Sequence, residues 1–103
     1  MTTSEILVAT RARLTPETWG KGGGTFRSRE CLMLALSQVV DHPIRTDAYR
    51  LLFTCALGHG PGSLHRWQDA PERTLVDVHA LFDAAIAIAQ DQEQAVEILV
   101  RSD

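Results

Sequence analysis

Between Thr74 and Ala89 one apolar stripe keeps a helical period. Leu75, Val78, Phe82, Ala85, Ile86 and Ala89 recur at the spacing of one helix face. A strand reading of Leu75-Val76-Asp77-Val78 fails once Ala80 to Ala89 are included. Thr74 and Asp77 have capping-box spacing, with a weaker reciprocal bond than the longer Glu would give. After the polar interval Gln90-Asp91-Gln92-Glu93, residues Val96, Leu99 and Val100 resume an apolar stripe. Residues 90–103 are therefore either a continuation of this helix or a separate terminal one. A helix of this kind buries its stripe only against other elements, and the rest of the chain also reads as helical.

A first helix is expected from about Ser4 to Leu14, capped by Thr3 or Ser4, with Ile6, Leu7, Thr10 and Leu14 in period. Pro16 suits the start of a further turn through Trp19. Four glycines then fall within Gly20-Lys21-Gly22-Gly23-Gly24, so residues 20–27 are expected to form a flexible loop. A second helix, 29–40 with Ser28 as cap, is apolar nearly all round at Cys31-Leu32-Met33-Leu34-Ala35-Leu36 and should be central. Asp41-His42-Pro43 ends it. A third, capped by Thr46, runs over 47–57 with Ala48, Leu51, Leu52, Cys55 and Ala56 on one face. Gly58-His59-Gly60-Pro61-Gly62 stops it, and residues 63–68 carry Leu64 and Trp67 on a short turn. The expectation is an all-α fold: one helical domain over 1–103, with four main helices and short helical turns.

At 103 residues, 45% apolar and 22% charged, the chain has the composition of one globular domain. No apolar run reaches the length of a membrane span, and the start lacks the pattern of a signal peptide. The two cysteines then read as free thiols, and the expected location is the cytoplasm. Net charge is −3 and uneven. Residues 1–60 carry seven bases against five acids, whereas 61–103 carry three against eight. No dense basic face emerges, which argues against duplex binding.

Three constellations hold residue types that could carry chemistry. Cys55, His59 and His65, with Cys31 from a neighbouring helix, hold zinc-type donors. They lack the paired Cys-x2-Cys spacing, and both cysteines sit in apolar helix stretches where Cys packs as a small hydrophobe. Cys31 near a helix start, beside Arg29, has the setting that activates a thiol, but no motif ties a base to it. Lys21, Arg27 and Arg29 could cradle phosphate, but the pattern is not a Walker loop. His79, near the apolar face, is expected to be half-buried on a backbone carbonyl. No catalytic residue, metal ligand or cofactor is assigned.

Trp67-Gln68-Asp69-Ala70-Pro71-Glu72-Arg73-Thr74 gathers an aromatic ring, a carboxylate and a guanidinium. As scaffold, Arg73 holds Asp69 and Trp67 covers the core edge. As a surface, exposed Trp and Arg are typical interface anchors. Together with Trp19-Gly20-Lys21-Gly22, Cys31-Leu32-Met33-Leu34-Ala35-Leu36 and Leu81-Phe82-Asp83-Ala84-Ala85-Ile86, this segment resembles a family of short bacterial and phage proteins with no established function. That family carries Trp-x-x-Gly, Cys-Leu-x-Gly-Ala-Leu and Trp-Asn-Asp…Arg-Thr elements. Leu34 stands in place of the family's glycine, and Gln68 in place of its asparagine. The second change weakens the case for hydrogen-bond work at position 68. The resemblance implies a small all-helical protein and supplies no reaction, substrate or cofactor.

The functional expectation is a non-catalytic protein–protein interaction module, a phage- or prophage-type modulator of a host protein. Its unidentified protein partner is expected at Trp19, Trp67, Asp69 and Arg73. The alternatives are a Cys/His metal protein or enzyme, and a nucleic-acid-associated protein.

Overall fold

The computed structural model describes residues 1–20, 31–56 and 63–101. They form five α-helices and one 3-10 turn, with no strand among the described residues. The elements are α1 (Thr3–Ala12), α2 (Leu32–Val39), a 3-10 turn (Pro43–Arg45), α3 (Asp47–Cys55), α4 (Ser63–Asp69) and α5 (Leu75–Arg101).

Helix starts follow the side chains that satisfy their open N–H groups. The cap of α1 is Thr2, one or two residues before the expected Thr3 or Ser4. Thr2 accepts from the Glu5 N–H, and Glu5 returns a carboxylate bond to the Thr2 N–H at 2.7 Å. Only Thr2 has a glutamate three residues on, so it outcompetes Thr3 and Ser4. Thr46 caps α3 as expected, accepting from the Tyr49 N–H. Thr74 and Asp77 close both bonds of their box at 3.0 and 3.3 Å.

Helix α2 starts at Leu32, with Cys31 outside it as cap; Ser28 and Arg29 lie outside the described residues. Only Ser37 and Gln38 of α2 are exposed, in keeping with its expected central place. It ends where expected. His42 turns into the left-handed region at φ 50°, a conformation unfavourable for a residue with a Cβ, and Pro43 opens the 3-10 turn. The segment after α1 makes one turn, closed by the Trp19 N–H on the Thr15 carbonyl at 2.8 Å.

Helix α5 packs mainly on α1 and α3, and α1 also packs on α2. The core joins Leu7 and Leu14 to Leu32, Ala35, Leu36, Ala48, Leu52, Leu64, Val78, Leu81, Phe82, Ala85 and Ala89. Phe82 is fully buried, a burial that stabilises by about 1.5–3 kcal/mol. Polar ties bind α5 to the α1 segment at three heights. His79 Nε2 donates to the Leu14 carbonyl at 2.6 Å. Arg11 Nε lies 2.8 Å from Asp83 Oδ1. The Glu93 carboxylate accepts from the Ser4 backbone N–H at 3.0 Å and from its hydroxyl at 2.6 Å.

Residues 90–101 continue α5 without a break. At about 1.5 Å per residue its 27 residues span roughly 40 Å. The molecule accordingly measures 53 × 26 × 24 Å, and every residue from Gln94 to Val100 is exposed. No described helix is long and apolar enough to cross a membrane.

Candidate functional site

The Trp67–Thr74 segment is the end of α4 and the turn into α5. Its centre is Gln68, which is fully buried. Gln68 Oε1 accepts from the Leu32 backbone N–H at 2.6 Å and from Trp19 Nε1 at 3.3 Å. Its Nε2 donates to Asp69 Oδ1 at 3.1 Å. The amide thus satisfies the first N–H of α2 from a different helix. Cys31 covers another, its Sγ accepting from the Leu34 N–H at 3.4 Å, a weak contact because sulfur is a poor acceptor.

Although the change from the family's asparagine weakens the case for hydrogen-bond work at position 68, the glutamine does that work here. The longer glutamine arm spans the gap between α4 and α2 and carries three bonds. Its sequence signal was only a polar residue one place after a tryptophan, which cannot show burial.

Of the four expected partner residues, the structure links Trp19 to this hub through its indole N–H and Asp69 through its carboxylate. Trp67 is half-buried. Arg73 lies over it, Cζ 4.0 Å from the ring centroid, and its Nε donates to the Trp67 carbonyl at 2.8 Å. Among the described residues, Arg73 is thus held by Trp67, not by the Asp69 of the scaffold reading. The Trp67 carbonyl, in the last turn of α4, accepts the Arg73 Nε–H, and the Trp67 ring face attracts the same cation. The result is a rigid aromatic–cation edge with exposed Asp69 beside it.

Among the described residues the thiol and histidine candidates form no metal-type group. Cys31 is buried as the cap of α2, Cys55 is half-buried on α3 and His65 is exposed. Burial pushes the Cys55 thiol pKa up, away from the thiolate. Among the described residues no three His, Cys, Asp or Glu side chains form a group that could hold a metal ion. His59, Lys21, Arg27 and Arg29 lie outside the described residues, as does the expected glycine loop except for Gly20, which is buried.

A second surface escaped the sequence reading. The core-facing stripe of α5 runs on in register beyond Ala89 through Val96, Leu99 and Val100. These three are 59%, 74% and 74% exposed. Beside them an open groove runs between α5 and the N-terminal ends of α1 and α3, its walls including Thr2, Asp47, Ala89, Glu93, Val96 and Glu97. The resumed stripe was visible in the sequence, but that it has no cover depends on where the other helices stop.

A family model described as a family of unknown function, DUF6197, matches residues 1–88. The chain belongs to this family. The DUF6197 match takes in the Gln68 hub and the core-forming part of α5, and it ends before Val96. No curated protein and no solved structure gives a significant match to the chain.

Proposed function

We propose that the protein is a non-catalytic protein–protein interaction module. The observation that carries this reading is the uncovered end of α5. An apolar helical stripe that is core for its first half and open to solvent for its second is the surface a partner covers. Its test is affinity capture from the native cell extract. The Val96→Ser/Leu99→Ser/Val100→Ser variant should keep its helical circular dichroism and melting temperature and lose the captured partner. Undiminished capture by that variant rejects the α5 face.

The Trp67–Arg73 edge supports a second contact surface, with Trp19 and Asp69 beside it. A stacked, hydrogen-bonded guanidinium is already ordered and loses little entropy on binding. Arg73→Ala should then leave the fold nearly intact and weaken capture by more than about tenfold. A sharp drop in melting temperature with undiminished capture makes the edge scaffold alone. The likeness to short bacterial and phage proteins extends the reading to a phage- or prophage-type modulator of a host protein, acting in the cytoplasm where its two free thiols stay reduced.

A further inference from the structure

We infer that the free end of α5 pairs antiparallel with the free end of α5 in a second copy of this chain, which rests on the interaction-module reading above and names the partner of that face. Phe82, Ala85, Ala89, Gln92, Val96 and Leu99 alternate at three and four residues, the spacing of a seam between two helices. Up to Ala89 the rest of the molecule fills that seam, and Phe82, Ala85 and Ala89 are buried. Beyond it Val96 and Leu99 hold the same register in the open, with exposed Val100 beside them. A bare ridge of this spacing is completed by another helix in preference to an extended strand.

Helix α5 runs to Arg101 without a break, so its end cannot fold back over its own stripe. The described chain leaves at Gly20 and Ala56, after the C-terminal ends of α1 and α3. The bare stripe lies at the N-terminal ends of those helices, beside Thr2, Thr3 and Asp47. No described element is left to cover it. A second copy brings what is missing, a helix with the matching stripe. About a two-fold axis, Val96 of each copy meets Leu99 of the other. The residues of the seam and its shoulders at this end, Ala95, Val96, Leu99 and Val100, are all uncharged, so identical copies meet there without like charges in opposition. Glu93, at the inner end, is tied to Ser4. Val96, Leu99 and Val100 of both copies together bury roughly 300–500 Å² of apolar surface. Even with their neighbours the contact stays below the roughly 1,200 Å² of a stable interface, so the pair is weak and reversible.

The test is sedimentation equilibrium of the full chain from micromolar to millimolar concentration. The expected result is a reversible rise from one chain to two that does not weaken as salt rises, because salt does not screen an apolar contact. Leu99→Ser/Val100→Ser should raise the dissociation constant more than about tenfold. The melting temperature of the single chain should not change, because both side chains are exposed. Orientation is read separately. Under oxidation, an equal mixture of Val96→Cys and Leu99→Cys chains should link position 96 to position 99 in preference to 96 to 96 or 99 to 99. A single chain at every concentration, or a dimer that Leu99→Ser/Val100→Ser leaves intact, overturns the proposal. So does preferential linking of like positions, the mark of a parallel pair. If the chain stays single while the α5 variant of the capture experiment still loses its partner, the second copy is wrong and the module reading stands. If the α5 variants change neither measurement, both fall.

Discussion

At the scale of single residues, Gln68 carries more of the structure than its neighbours Trp67 and Arg73. It is a buried amide whose oxygen serves two donors, the Leu32 N–H and Trp19 Nε1. Gln68→Ala leaves both without that partner, and a buried donor left unpaired costs about 1–3 kcal/mol. The expected result is a loss of that order in chemical denaturation, with a changed Trp19 fluorescence. A loss below about 0.5 kcal/mol would mean that water replaces the amide. The capping carboxylates give a pH dependence. Bonds from the Thr2 and Thr74 backbones hold Glu5 and Asp77 below their ordinary pKa. A pKa lowered on folding adds stability that is present above the unfolded value, near pH 4, and is lost as pH falls through the folded value. Stability should therefore decline on acidification from about pH 4.5, and less so in Glu5→Gln/Asp77→Asn. Parallel pH–stability curves for the two proteins would contradict the assignment.

At the scale of elements, α5 has a local start and distant ties along its length. Its start is local, the Thr74–Asp77 box, and its upper tie is distant, Glu93 on the N-terminal turn of α1. A carboxylate at a helix N-terminus is favoured by the open N–H groups and by the dipole. Glu93→Ala should destabilise by about 0.5–2 kcal/mol, the range for losing a cap. It should speed hydrogen exchange at Ser4 and in the upper turns of α5, and leave Val78–Ala85 protected. Exchange rising evenly along α5 would show that Glu93 does not separate an anchored from a free half. Helix α2 differs, since its first turn is completed by Gln68 from α4, so those two elements depend on each other.

At the scale of the molecule, one core joins all five α-helices, and Leu36 on α2 lies inside it with no exposure. Leu36→Asp puts an unpaired charge there and should cost several kcal/mol. A melting temperature equal to wild type would remove α2 from the core. The helical character of the chain, the Thr46 and Thr74 caps, the stop at Asp41-His42-Pro43 and the bond from His79 to a backbone carbonyl were all legible in the sequence. They depend on local spacing, on short side chains reaching nearby N–H groups, and on the period of apolar residues. The cap of α1 was misplaced by a residue or two because three hydroxyl residues compete there, and only the reciprocal Glu5 bond separates them. The Gln68 bonds, the turn of Arg73 onto Trp67 and the bare end of α5 could not be read the same way. Each joins residues whose meeting depends on how helices pack. An amide or a valine has the same sequence whether a neighbouring helix covers it or ends before reaching it, and only the tertiary structure decides which.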